Sequence, residues 1–512
     1  MKNIIILIFL SLSQLASSAT FYVATNGNDN NSGSIDSPFK TINKAWSRVS
    51  AGDIIYVRGG TYTYSMMPST TLNNKSGTSG NLIKIWNYSG EFPVIDYSAE
   101  TFTTQKIGIQ MTGSNYIHIK GIRVTGIKQP VSGNTSQYGF LLWNNVSNCI
   151  FEQIETDHIG GWGVVIGDNC NNNLFSNCDS HHNADPYSTS SPYGGADGFE
   201  SGSASSTNNT FRGCRAWWNS DDGWDLRIYN GTVTIDNCWS FWNGYRPGTS
   251  TPAGNGEGFK LGPKQSPSTT NVLRTVTNCL AFENYATGFS CLNAGYYNFY
   301  SVLYNNTAYK NRKGYNYSDA GMVTTLRNNI DYANGTVPSI NAANTHNHNT
   351  WNGGVSVTDA DFVSCSSSGI DGPRQADGSL PVLNFLKLSP TSDLIDAGVN
   401  AGLTYNGSAP DLGCFESGSG STPPPATPVY VSSAIENATP TVIEMTYNLS
   451  LANVAPAASA FTVRVNSTTR SVSSVAIISG RVRLTLSGAV VSGDAVTVAY
   501  TKPSSNPLQT SA

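Results

Sequence analysis

Charge is scarce in this 512-residue chain: Asp, Glu, Lys and Arg together make up 12% of it. The net charge of −4 supplies no positive field for nucleic acid or an anionic membrane. Apolar runs long enough to span a bilayer are missing, so no membrane span is expected. Histidine occurs only 6 times, as in His181-His182 and His346-Asn347-His348, and no Cys/His set has zinc spacing. There is no Leu-rich consensus, no recurring Trp-Asp dipeptide and no paired-helix pattern, which excludes the common horseshoe, propeller and helical repeats. What is abundant is turn chemistry, with 50 glycines and frequent asparagine. That composition fits an extracellular all-β protein better than a cytosolic enzyme.

Residues 1–19 read as a secretory signal: Lys2, the apolar run IIILIFL, then small residues before Thr20. No cysteine stands at the expected cleavage point, so no lipid anchor is expected. The mature protein should be secreted, to the medium or cell surface with the periplasm as the other destination, and monomeric.

Nine cysteines in an exported chain would ordinarily suggest disulfides. Their placement points elsewhere. Cys178, Cys214, Cys238 and Cys279 each follow Asn or Gly, and each precedes an Asn by five residues. With Ile122, Ile154, Asn306 and Asn329 taken as equivalent positions, the spacings are 32, 24, 36, 24, 41, 27 and 23. The period is thus 23 to 24 residues, with three coils enlarged by insertions. Short strands of Val, Ile, Phe and Tyr broken by Asn and Gly predict a parallel β-helix. Free cysteines then stack inside it as small apolar residues, and the asparagines stack as an amide ladder.

Ahead of the coils, Ser37-Pro38 opens a helical spacing of Phe39, Ile42, Ala45, Trp46 and Val49, which predicts an N-terminal cap on the solenoid. The β-helix domain spans residues 20–417; within it, the period is lost after 345, and SPTSDLIDAGVN…APDLGCFES reads as a final coil with a covering loop. Residues 418–428, rich in Gly, Ser and Pro, are a linker. Residues 429–512 are a second domain whose six or seven short alternating strands predict a β-sandwich.

Chemistry concentrates at three Gly-aromatic pairs, Gly198-Phe199, Gly223-Trp224 and Gly258-Phe259. If each marks the same point on successive coils, Asp197, Asp222 and Glu257 form one column and Glu200, Asp225 and Lys260 another. With Asp221, six carboxylates then surround one lysine, a density that calls for a cation. The spacing is not an EF-hand, and an all-oxygen set favours Ca²⁺ over Zn²⁺. Arg215, Arg227, Arg246, Lys264, Arg274, Lys310 and Arg312 are candidate groove cations. Tyr245, Tyr296 and Tyr297 are candidates for stacking on sugars.

ADGFE, GCRAWWNSDDGWDL, GNGEGFKLG, NCLAFEN and NNTAYKN resemble the motifs of polysaccharide lyase family 9, over roughly residues 20–417. The tail is similar to bacterial immunoglobulin-like modules of the SwmB type. The resemblance implies a right-handed parallel β-helix lyase acting on pectate or related acidic polysaccharides, with Asp197, Asp221, Asp222 and Asp225 as calcium ligands and Lys260 as catalytic base. It implies β-elimination from 4-linked galacturonan, with activity that needs calcium and rises into alkaline pH. Rhamnogalacturonan I or another uronate polymer is the alternative substrate. A β-helical pectin hydrolase and a non-catalytic glycan-binding adhesin are the rival readings.

Overall fold

The computed structural model describes residues 18–509 apart from 132–136, 202, 204, 228–230, 263–271, 292–298, 320–321, 419–429, 448–450, 453, 479, 502 and 504–506. Most of the expected signal and linker, together with Lys264, Tyr296 and Tyr297, lies outside the described residues. The chain divides into two units, Met1–Ser417 and Gly418–Ala512.

The first unit is a parallel β-helix. Among the described residues its coils contribute strands to three sheets of twelve, ten and ten strands, each strand pairing with its equivalents one coil earlier and later. The third sheet pairs Glu155 with Asp179, Asp179 with Arg215, Arg215 with Trp239, Trp239 with Leu280, Leu280 with Thr307, and Thr307 with Ile330. The residues just before these are Ile154, the four cysteines, Asn306 and Asn329, so the repeat in the sequence is a physical stack. All nine cysteines are free, and all but Cys365 are buried.

The corners explain the Asn-Cys pattern. Asn177, Asn237 and Asn278 have φ of 55°, 52° and 56°, and Gly213 has 62°, each immediately before a stacked cysteine. A tight corner needs one left-handed residue, which Asn and Gly supply at least cost. Five residues after each cysteine comes the amide ladder. Asn183 donates to Asn219 at 2.8 Å, and Asn219 to Asn243, Asn243 to Asn284 and Asn284 to Asn311 at 3.0 Å each. Asn311 donates to Asn334 at 3.1 Å.

This ladder also accounts for the Gly-aromatic pairs. A Cβ on Gly198, Gly223, Gly258 or Gly288 would lie 2.8 to 3.0 Å from the Nδ2 of Asn219, Asn243, Asn284 or Asn311, and 2.6 to 2.9 Å from the next coil's carbonyl oxygen. The aromatic partner points inward. Phe199, Trp224, Phe259, Phe289 and Tyr315 stack in a file with ring centroids 4.7 to 5.1 Å apart. The residue on either side of each pair therefore points outward, onto one exposed face.

The N-terminal helix runs from Ile42 to Arg48 with Thr41 as its cap, and buries Ile42, Ala45 and Trp46. It begins later than Ser37-Pro38 because the Thr41 hydroxyl is what accepts the Lys44 N–H, at 3.1 Å. The stretch after 345 is not a final coil. The last strands of the helix are Ser339–Ile340 and Thr345–Asn347, and the following residues run back over the outer face of the third sheet. Phe362, Phe385, Leu394, Leu412 and Cys414 pack there on Trp239, Phe282 and Tyr309. Arg374 reaches Asp179 at 2.6 Å, and Arg215 donates to the Ile370 and Gly372 carbonyls at 2.9 Å. An apolar outer face on these coils demanded this cover. The second unit pairs one four-stranded and one three-stranded antiparallel sheet around Val463, Val482 and Leu484.

Candidate active site

Three short strands of the second sheet, Phe199–Ser201, Trp224–Asp225 and Phe259–Lys260, carry the acidic columns. Their register pairs Glu200 with Asp225 and Asp225 with Lys260. Backbone bonds extend the alignment outward. The Asp222 N–H donates to Asp197 Oδ1 at 2.8 Å, and the Glu257 N–H donates to Asp222 Oδ1 at 2.7 Å. Asp197 and Asp222 thus each cap the coil that follows with one oxygen and leave the other facing the site, while Glu257 accepts the Ser290 hydroxyl. Asp221 is held the same way, accepting the Asn255 N–H on Oδ1.

Carboxylate oxygens of Asp197, Asp221 and Asp222 lie within 4.8 Å of one another, and all three residues are buried. Trp162 Nε1 donates to Asp197 Oδ2 at 3.1 Å. Lys260 Nζ donates to Asp222 Oδ2 at 2.7 Å and to Asp225 Oδ2 at 2.8 Å, and its side chain is 14% exposed. Asp225 stands beside the three-aspartate cluster, its other oxygen accepting the Arg227 N–H at 2.7 Å.

The electrostatics follow from crowding. Burial, then repulsion among neighbours, pushes Asp197, Asp221 and Asp222 above the ordinary carboxylate range and takes Glu200 and Glu257 up to about 8. Burial alone would lower Lys260, but Asp222 and Asp225 overcome it and hold the amine protonated well above the usual lysine range. Several buried acids that cannot all ionise beside one ammonium are the signature of a cation site. All-oxygen donors, mutual proximity and burial fit a hard divalent ion such as Ca²⁺, with Asp197, Asp221 and Asp222 as its holders and Asp225 within the same constellation.

A second group, Glu155, Asp157 and His181, also clusters within 4.8 Å. Its chemistry is different. Asp157 already accepts from Arg123 at 2.6 and 2.9 Å, Thr125 at 2.7 Å and His158 at 2.5 Å. A fixed guanidinium and a saturated carboxylate make this an ion network that ties coils together.

Of the other sequence candidates, Arg215 and Arg274 are buried away from this face, the first under the returning strap and the second against the Leu261 carbonyl at 3.0 Å. Lys310 lies over the Tyr309 ring and Arg246 over Tyr193. Tyr245 packs edge-on with Trp218 and Tyr285. Arg227 follows Asp225, and Arg312 lies two coils beyond Lys260 on the same face. Trp162 and Lys313 were missed. The Gly-aromatic signal continues as Gly288-Phe289 and Gly314-Tyr315, whereas in the earlier coil Val164 takes the aromatic place and Trp162 lies in the Asp197 column. Extending it past the acids would have placed Lys313 in the Asp222 column.

Residues 21–344 match the family model described as Pel9A-like, right-handed beta helix region. Residues 422–505 match the SWM repeat, described as a putative flagellar system-associated repeat. Pectate lyase L of Dickeya dadantii is 34% identical over 416 residues, 79% of this chain and 92% of the relative. The crystal structure of pectate lyase Pel9A superposes with a TM-score of 0.66 at 32% identity, covering 78% of this chain and 97% of that one. A structure described as a rhamnogalacturonan lyase gives a TM-score of 0.63 at 28% identity, covering 73% and 97%. With these matches spanning the coils that carry the acids and the lysine, the chain belongs to the Pel9A-like right-handed β-helix family and is a polysaccharide lyase.

Proposed function

We propose that this protein is an exported, Ca²⁺-dependent pectate lyase that cleaves 4-linked galacturonan by β-elimination, with Lys260 as the base. The observation that carries the reading is one amine held at 2.7 and 2.8 Å by two members of a buried carboxylate constellation. Pectate lyase relatives along most of the chain support the substrate class. Export rests on the signal-like residues 1–19.

When bound, Ca²⁺ supplies neutralisation of the uronate carboxylate, which acidifies the adjacent C5 proton, and offsets the acid field that keeps Lys260 charged. The chain's own groups do the rest. Asp222 and Asp225 fix the position and direction of the Lys260 side chain, which spends little conformational freedom in reaching the proton. Lys260 Nζ in its neutral form takes the proton from C5. The C5–H pair becomes the C4–C5 double bond, the C4–O4 bond breaks, and the departing oxygen is protonated from water. Trp162 and the capping backbone N–H groups keep the aspartates oriented as the charge on the lysine changes.

Rhamnogalacturonan is the second substrate reading, favoured by the 28% identical rhamnogalacturonan lyase structure. Incubation with polygalacturonate, methylated pectin and rhamnogalacturonan, read at the absorbance of unsaturated uronate with and without chelator, tests both. The expected result is chromophore from polygalacturonate that chelator abolishes. Cleavage without chromophore would replace the lyase reading with hydrolysis.

A further inference from the structure

The acidic columns continue past Lys260 with their charge reversed. Glu257 is followed one coil later by Thr287 and two coils later by Lys313, while Lys260 is followed by Ser290 and then Asn316. All sit on the same outward face as the site. Two coils are roughly 10 Å, about the length of two pyranose units. The intervening Thr287 and Ser290 are small and buried, so the floor between Lys260 and Lys313 is low.

At the far end, Ala286, Thr287, Arg312, Lys313, Asn316 and Thr336 line a hollow of about 290 Å³. Lys313 Nζ donates to the neutral hydroxyl of Ser339 at 2.6 Å. Among the described residues neither Lys313 nor Arg312 enters an ion pair. Two uncompensated cations and an amide converging on one hollow are the donor set that a carboxylate requires. At the opposite end the face presents the stacked rings of Tyr138 and Trp162, centroids 5.3 Å apart, which carry no charge. The groove is therefore chemically polar along the helix axis.

We propose that Arg312, Lys313 and Asn316 form a subsite that binds a uronate carboxylate of the substrate about two sugars from the scissile bond and sets the direction in which the polymer lies. The proposal rests on the lyase reading, since it takes Lys260 as the point of cleavage. Both cations are on the outer face of the sheet, so their replacement leaves the inner stack untouched, and a thermal melt confirms that the variants fold.

The test measures kcat and KM on polygalacturonate for Arg312→Ala, Lys313→Ala, the double variant and Lys313→Arg. Each alanine is expected to raise KM about tenfold, as loss of a charge-assisted bond does, with a smaller fall in kcat. Lys313→Arg should recover most of the loss, and the preference for polygalacturonate over its methyl ester should shrink in the double variant. Unchanged KM in the folded double variant overturns the subsite. Absence of unsaturated product from wild type overturns the lyase reading instead. Calorimetric titration of a galacturonate oligomer into Lys260→Met, with and without the two alanines, then still decides the subsite, because equal affinity in both backgrounds removes it.

Discussion

Asn243→Ala cuts the amide ladder at its centre. Asn243 is fully buried, and its Oδ1 accepts both the backbone N–H of Asn219 at 3.1 Å and the Asn219 side-chain amide at 3.0 Å. Its Nδ2 donates to Asn284 Oδ1, Ser240 Oγ and the Ala216 carbonyl. Alanine leaves the Asn219 N–H without an acceptor in a site closed to water and leaves the Asn219 side-chain amide only the Ser180 carbonyl, at 3.2 Å. At roughly 1–3 kcal/mol for the stranded N–H and about 1 kcal/mol for the lost amide bond, the loss is about 3 kcal/mol. The cost reaches the active face, because Asn243 Nδ2 sits against Gly223, between Asp222 and Trp224. Urea unfolding of the two proteins gives the difference in stability, and hydrogen exchange of the Asn219 amide locates it. A loss under about 1 kcal/mol with unchanged Asn219 exchange would refute the ladder as a principal tie between coils.

Gly223→Ala places a Cβ 2.1 Å from Ser240 Oγ and 2.6 Å from the Gly258 carbonyl oxygen. Such overpacking costs about 1–3 kcal/mol and should lower kcat/KM at least about tenfold by displacing Asp222 and Asp225; wild-type kinetics would contradict the close approach. Burial alone would raise the Asp179 pKa, but Arg374 and Arg215 outweigh it and hold the carboxyl well below the usual range. A depressed folded pKa stabilises above the unfolded value of about 3.9 and is lost as pH falls below it. Asp179→Asn should therefore weaken the protein by about 3–5 kcal/mol at neutral pH and flatten its acid-unfolding limb. An unchanged limb, followed by circular dichroism, would remove this pair as the fastening of the strap. Ca²⁺ at about 100 times its Kd should stabilise the fold by about 2.7 kcal/mol, and Asp197→Asn or Asp221→Asn should largely abolish that gain in a thermal melt.

Much of the solenoid was legible because its physics is local and repeats. The left-handed corner before each stacked cysteine is filled by Asn or Gly, the next position is buried in every coil, and a close approach requires glycine, so Asn-Cys and Gly-aromatic recur at one period. The columns of the site follow from that register alone, which is why Asp222, Asp225 and Lys260 could be aligned across an insertion between Asp225 and Lys260. The strap was not legible, because residues 348–417 contact coils more than a hundred positions earlier, as Arg374 does Asp179. No periodicity records such a contact. Arg215 illustrates the same limit: its place in the coil was readable, but its burial beneath Ile370 and Gly372 depends on the strap. Trp162 was missed because it stands in the Asp197 column of a coil where Gly163-Val164 breaks the Gly-aromatic pattern, and Gly161 beside it is two positions out of register.

The assignment of the base is open to a direct trial: the rate of unsaturated uronate formation from polygalacturonate with Ca²⁺, in wild type and in Lys260→Ala. Removal of a positioned general base should lower kcat by about 10²–10⁴-fold while the calcium-induced rise in melting temperature persists. Chromophore appearing at the wild-type rate in a folded, calcium-responsive Lys260→Ala protein would contradict the account.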